Sequence, residues 1–574
     1  MSVYSGRAFE LVQALTENGG AGAQSPTHVF RRRNRRGRRR SRPGCRQRGG
    51  PGRCQGHGRP GVAAPDLDLT KGETFGSKSF KSPAAKTVHP ATKGKLAPQA
   101  ENGAAAVEPT VDISGWQSSA HGITLELAVN SDPGTPLGVL VEWGDGGSEQ
   151  VGANGPTLLT RSHVYAKPGV YHVMVSLLSG DTVVGTNDVI ADTAGSDFTP
   201  HAPTRLLDTR EGIGATKGKV AQYGTTRVKV GGNGQIPAGV TAVALNVTVT
   251  NPSKPGHIRA YGQGDERPTT SNVNFTAGQT VPNAVIVPVG ANGYVELYNH
   301  SDGAVDLIAD VTGFFTKSAA NGYTSLTPSR LVDTREGLGA GKGKVAGRNS
   351  FTTQVTGRGG VPADAKAVAL NVTVTEPSQD GHLIVYPAGG QAPTTSNVNF
   401  STGQTIANSV IVPIGADGKI SVFNGAWAGA HVIVDVVGYY SPGSQSAYVP
   451  FLPERWFDTR EDGEQLEGRN YIYSSFFEDD ADVTGVVLNT TVTNTRGPGH
   501  LTVAPDPNRW IDYDNGWAIK PTPPNSSVLN WTPNKTVPNL VQASTGSTRL
   551  IDFWNMSYEP TDMIVDIFGI YAKN

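Results

Sequence analysis

Three times along the chain an acid, a hydroxyl and a base stand in the order Asp-Thr-Arg-Glu, beginning at Asp208, Asp333 and Asp458. Residues two apart on a strand share a face. Asp208 and Arg210, Asp333 and Arg335, and Asp458 and Arg460 are therefore placed to pair with each other or with a neighbouring strand. A structural ion-pair network is the expected use, because a charge drawn into a core needs a partner. Asp, Glu and backbone carbonyls are also hard-cation ligands, so Ca²⁺ is the one metal the pattern admits, and no other cofactor is expected. Each copy further holds Ser and a Gly-His pair (His257, His382, His500), which with Asp brings a hydrolase triad to mind. No Gly-x-Ser-x-Gly elbow accompanies them, and three consecutive active sites in one chain would be unusual. The histidines read as strand starts after a turn. No catalytic residue is assigned.

The other chemistry-bearing segment is aromatic. Five of the eight tryptophans (Trp456, Trp510, Trp517, Trp531, Trp554) fall in the last copy, which gains thirteen residues around Asp506 to Trp517. Aromatic faces beside carboxylates and amides suit sugar rings, which need apolar stacking together with hydrogen bonds. Trp510, Asp512, Tyr513, Asp514 and Trp517 are the candidate ligand contacts. The competing expectation is that these aromatics fill the core or cover the preceding copy.

What must position these groups is a repeated unit. The three Asp-Thr-Arg-Glu segments lie 125 residues apart. Leu245 to Thr250 (Leu-Asn-Val-Thr-Val-Thr) returns at Leu370 to Thr375 and, less closely, at Leu488 to Thr493. Asn283, Asn408 and Asn539 keep step, as do the closing Asp310, Asp435 and Asp566, each followed by Gly and aromatics. Val243, Leu245, Val247 and Val249 alternate with Asn246, Thr248 and Thr250, the signature of a strand with unlike faces. A period this long exceeds solenoid and propeller-blade lengths, so each copy is expected to fold independently, as beads on a string. The motifs Arg-Leu-[Leu/Val]-Asp-Thr-Arg-Glu, Leu-Asn-Val-Thr-Val-Thr and Asp-Val-x-Gly-[Phe/Tyr]-[Phe/Tyr] resemble a tandem β-domain common in secreted actinobacterial proteins. The resemblance implies a secreted or surface setting and no assigned chemistry.

Ahead of the copies, Ile123, Leu125, Leu127 and Val129 alternate with polar neighbours, and Val139 to Trp143 runs into a Gly-Asp-Gly turn. Trp143-Gly144-Asp145-Gly146 with His163, Tyr165, Gly169 and Tyr171 resembles the PKD (polycystic-kidney-disease-type) domain. That resemblance implies an immunoglobulin-like two-sheet sandwich serving as a spacer or a weak surface contact. Asp145 is expected to hydrogen-bond its own turn.

Composition supports a β reading: Gly 72 and Pro 39 are high and charged residues are 17%. Residues 1–60 carry fourteen arginines, no lysine, and only Glu10 and Glu17 as acids, a charge of +12 that leaves −12 for the rest. An acidic body does not suit a phosphate backbone, so no nucleic-acid partner is expected. The Arg/Gly/Pro-rich stretch reads as a start-site or reading-frame error, a solvated tail, or an anion-binding arm. Cys45 and Cys54 both lie within it, so no disulfide is expected in the repeats. No apolar run reaches the length of a membrane span.

The expected architecture is all-β: residues 1–108 a disordered or mis-translated segment and linker, 109–195 a PKD-like sandwich, and β-sandwich repeats at 198–317, 323–442 and 447–574. The expected function is non-enzymatic binding or adhesion, secreted or at a cell surface, with cell-wall or extracellular polysaccharide as partner. A structural stalk without a small ligand is the second reading, and a glycoside hydrolase with paired carboxylates the third.

Overall fold

In a computed structural model, residues 79–88, 106–477 and 480–573 are described. The arginine-rich stretch, Cys45 and Cys54 lie outside them. Regular structure among the described residues is almost entirely antiparallel β, with short helices only at Thr459–Asp462 and Trp510–Asp514.

The first sandwich packs Ser79–Lys81, Thr110–Gln117, Gly122–Asn130 and Thr157–Val164 against a sheet of Lys86–Thr87, Thr182–Asp192, Val170–Ser179, Pro136–Glu142 and Ser148–Asn154. The alternation at Ile123, Leu125, Leu127 and Val129 points these side chains into its core. The strands at 79–81 and 86–87 come from residues that the sequence places in a linker. Strands of two or three residues are too short to show a period, and Phe80, packed on the core, anchors the first of them. Asp145 accepts from the Gly147 N–H (2.9 Å) and pairs with His163 (2.8 Å), holding the turn below the buried Trp143.

Each repeat folds into eight strands in two sheets. In the first repeat one sheet runs Asp197–Asp208, Asp306–Thr316, Val240–Thr250, Val281–Pro288, and the other Thr225–Lys229, Tyr294–Ser301, Gly256–Gly262, Val273–Phe275. In chain order this is first-eighth-third-sixth over second-seventh-fourth-fifth, the strand order of a jelly roll. The second and third repeats reproduce it. Each encloses its own core; in the first, Val243, Leu245, Val247 and Val249 face that interior.

The other face of the same strand is buried as well. Ala242 and Ala244 join Ala367, Ala369 and Val487 from the other two repeats in a common core. Around it, rings from different repeats meet in a cycle: Phe198 on Tyr440 (4.1 Å between centroids), Tyr323 on Tyr571 (4.0 Å), and Tyr448 on Phe315 (4.6 Å). The Gly of each closing motif makes room for this. A Cβ at Gly313, Gly438 or Gly569 would collide with the aromatic side chain of Phe198, Tyr323 or Tyr448.

Asparagines close the cycle. Asn246 donates to the Ser396 carbonyl (2.7 Å), Asn371 to that of Ser527, and Asn489 to that of Ser271 (2.7 Å). In the reverse direction Asn408 donates to Asn246 (3.0 Å), Asn539 to Asn371 (3.1 Å) and Asn283 to Asn489 (3.0 Å). First bonds to second, second to third, and third to first. The three repeats thus form a closed ring with approximate threefold symmetry, and the beads-on-a-string expectation does not hold. The Asn of each such strand faces a neighbouring repeat, which supplies partners for buried amides, while the last Thr bonds within its own repeat. The first sandwich is tied to the ring where Ser196 and Tyr448 exchange backbone hydrogen bonds (2.9 and 3.0 Å) and Lys317 donates to the Ala194 carbonyl (2.8 Å).

Asn408→Ala would leave the Ala284 N–H, the Asn246 amide oxygen and the Asn397 carbonyl without this partner. Denaturant unfolding of the full chain should show a loss of about 3 kcal/mol or more, at about 1–3 kcal/mol for each buried group stranded. Asn349→Ala, on an exposed residue, should stay within about 0.5 kcal/mol.

Candidate functional site

The Asp-Thr-Arg-Glu elements lie at strand ends and are occupied by ion pairs. Arg210 clasps Asp208 with Nε and Nη2 (2.9 and 2.7 Å), and Arg205 bridges Asp208 (3.2 Å) to Asp310 (2.9 Å). The same group recurs as Arg335–Asp333–Arg330–Asp435 and Arg460–Asp458–Arg455–Asp566. Spacing pointed to the Asp208–Arg210 pair but not to Asp310, which is 102 residues downstream and joins the first motif to the last. Asp310, Asp435 and Asp566 also accept a backbone N–H from the adjoining repeat, at Ser396, Ser527 and Ser271. Burial pushes all three carboxyls upward against the arginines, Asp566 to about 6. Both oxygens of Asp208 are engaged by guanidinium, so this carboxylate serves the ion pair. Among the described residues no group of three or more His, Cys, Asp or Glu side chains is placed to hold a metal.

The insert of the third repeat is built upward from Asp506, the residue after strand Gly499–Pro505. Asp506 accepts from the Asn508 N–H (2.6 Å) and from the Tyr513 hydroxyl (2.5 Å). Asn508 bonds both the N–H and the carbonyl of Ile519 (2.8 Å each), closing the loop at its base. Helix Trp510–Asp514 lies on the outer sheet: Tyr513 stacks on Tyr473 (3.7 Å), and Trp510 meets the same ring edge-on (5.7 Å). Asp512 is bound by Arg509 through the backbone N–H (2.9 Å) and the guanidinium (3.2 Å).

The five candidate contacts therefore do not converge. Trp510 and Tyr513 hold the insert down, Asp512 caps its helix, Asp514 is exposed, and Trp517 is 71% exposed. Trp456, Trp531 and Trp554 are buried. A depression of about 390 Å³ lies beyond the insert, lined by Arg469, Lys520, Thr522, Trp554 and Met556. Lys520 Nζ stands 5.9 Å from the Trp554 ring, and Arg469 lies 4.2 Å over the ring of Tyr558, which is 82% exposed. Arg469 and Tyr558 gave no sequence signal, because the segments carrying them are irregular and unlike their counterparts in the other repeats.

Beneath the insert, Asp506 and Asp552 are both buried and within hydrogen-bonding reach of each other. Burial, and then the hydrogen bond with Asp506 and its charge, hold the Asp552 carboxyl far above the ordinary carboxylate range. Carboxylates this close and this covered leave no room for a glycosidic bond between them, so this pair does not serve the glycoside hydrolase reading.

No protein-family model matches the chain, and no curated protein matches it. Among solved structures, the tandem CBM22-1-CBM22-2 domain of Xyn10C from Paenibacillus barcinonensis aligns with 42% of this chain and 98% of its own, at 14% identity and a TM-score of 0.14. Sulfolobus Turreted Icosahedral Virus aligns with 71% of this chain and 89% of its own (9% identity, TM-score 0.13). A chain from a structure described as the triple jelly roll fold and turret assembly in an archaeal virus aligns with 71% and 90% (9% identity, TM-score 0.13). Likenesses this slight establish neither a shared fold nor a shared function. No helix among the described residues is long and apolar enough to cross a membrane.

The raised Asp552 pKa has a testable consequence. The folded state keeps a proton that the unfolded chain releases in the ordinary carboxylate range. Its contribution is therefore intact below that range and is lost progressively as pH rises above it. In thermal melts, Asp552→Asn should match the parent near about pH 4 and melt higher than the parent near about pH 9.

Proposed function

We propose that the chain is a secreted or cell-surface binding protein that contacts polysaccharide through the third repeat. The observation that carries this reading is the depression where Arg469 and Lys520 stand beside Trp554 and the exposed Tyr558. Sugar recognition combines an aromatic face for the C–H side of a pyranose with charged donors for its hydroxyls or carboxylates, and those groups meet here. The insert that precedes Lys520 is closed at its base by Asp506, Asn508 and Tyr513, which limits the ordering cost of the adjoining segment on binding. The PKD-like sandwich is assigned a spacer role in this reading.

A second reading, a structural appendage subunit without a small ligand, draws on the closed ring, whose shared core suits a rigid building block.

Binding to immobilised polygalacturonate, chitin, cellulose, β-1,3-glucan and mannan separates them. At least one polymer should bind, and Arg469→Ala combined with Lys520→Ala should weaken it about ten-fold or more, about 1.4 kcal/mol, with an unchanged melting temperature. Binding by none of the five, together with ordered self-assembly, would favour the structural reading.

A further inference from the structure

The surroundings of Tyr558 are not peculiar to the third repeat. In every repeat a fully buried asparagine ties two surface loops together. Asn299 donates to the Ala221 and Gly303 carbonyls (2.8 Å each), Asn424 to Val345 and Ala428 (2.9 Å each), and Asn555 to Leu466 and Glu559 (3.0 and 2.9 Å). On the first loop, one exposed residue per repeat takes the left-handed backbone region that non-glycine residues avoid: Tyr223 (φ 52°), Arg348 (φ 58°) and Arg469 (φ 56°). A conformation repeated at one position in three copies is held in place by the surrounding structure.

The second loop carries Asp302, Trp427 and Tyr558 at matching positions, three residues after each asparagine. The two loops meet through their side chains. Arg348 stands 5.1 Å from the Trp427 ring and Arg469 4.2 Å from that of Tyr558, while the Tyr223 hydroxyl donates to Asp302 (2.6 Å). In the first repeat the aromatic comes from the first loop, and in the other two from the second. Either way one ring is left in water: Tyr223 is 50% exposed, Trp427 79% and Tyr558 82%. Simple duplication would have kept the ring on the same loop. Different residues arriving at the same outcome point to the exposed ring itself as the feature in use.

Single exposed apolar residues need no explanation, but here three of the four strongly exposed aromatic rings among the described residues lie on the same pair of facing loops, one ring per repeat. The cyclic contacts between repeats carry one such loop pair on each of the three. We infer that Tyr223, Trp427 and Tyr558 form a trivalent set of stacking platforms, and that the ligand is a polysaccharide presenting many pyranose rings rather than a free short oligosaccharide. This rests on the glycan reading of the third repeat and adds two sites to it. One aromatic platform binds a sugar weakly, and linked sites gain about 10²–10⁴-fold when the geometry lets them engage together.

The test uses the full chain and the tightest-binding of the five polymers, with the trisaccharide cut from it. The parent should bind the polymer about 100-fold more tightly than the trisaccharide. Tyr223→Ala with Trp427→Ala, which leaves the third-repeat depression untouched, should bring polymer affinity down to the trisaccharide level while changing trisaccharide affinity less than about two-fold. Tyr223→Phe with Trp427→Phe keeps a ring at both places and should retain most of the polymer affinity. Full polymer affinity in the alanine pair would overturn the trivalent proposal and leave the third-repeat site standing. Equal loss in the phenylalanine pair would overturn it too, since the ring would then not be the contact. A parent that binds none of the five polymers would overturn both readings.

Discussion

The architecture depends on burying both faces of one sheet. In each repeat the sheet containing the Leu-Asn-Val-Thr-Val-Thr strand covers its own sandwich with branched aliphatic side chains and offers its other face to the neighbouring repeats. That second face mixes small apolar residues near the axis, Ala242 and Ala244, with Asn246 and Thr248. Apolar burial supplies the non-directional part of the attraction. The amides supply the register, because an Asn shifted by one residue would strand its own hydrogen-bonding groups and those of its partner in a dry interface. Three such interfaces arranged head to tail close on themselves, which is how heterologous contacts form a ring rather than a filament.

The ion-pair groups reinforce the same junctions. Arg205, Arg330 and Arg455 each join two acids of their own repeat, and the inner acid of each pair also accepts a backbone N–H from the adjoining repeat. Buried charges of this kind add little net stability over well-packed apolar side chains, yet removing one partner is costly because it strands the other. Their value here lies in fixing how one repeat meets the next. The surface loops then inherit the symmetry of the ring, so a single exposed ring per repeat becomes a threefold array.

Much of this was legible in the chain. The 125-residue period, the period-two alternation at Val243 to Val249, and the recurring Asp-Thr-Arg-Glu announced three copies of a β unit. What escaped has physical causes. Asn246 and Thr248 are as polar as residues on a wet face, and nothing local distinguishes an amide facing solvent from one facing a neighbouring repeat. Asp310 lies too far along the chain for spacing to link it to Arg205. The tryptophan count pointed to the third repeat, but composition cannot tell Trp554, which lines a depression, from Trp510, which pins a helix. Trp427 and Tyr558 stand on irregular loops with no period to read, and only the contacts between the two loops of each repeat relate them to Tyr223, which lies on the other loop.

Whether the three repeats form one thermodynamic body is measured most directly by calorimetric unfolding of the full chain. The shared core requires them to melt in a single transition, and Tyr440→Ala, placed where rings of all three repeats meet, should shift that whole transition downward. Three resolvable repeat transitions, of which Tyr440→Ala lowers only the second, would contradict it.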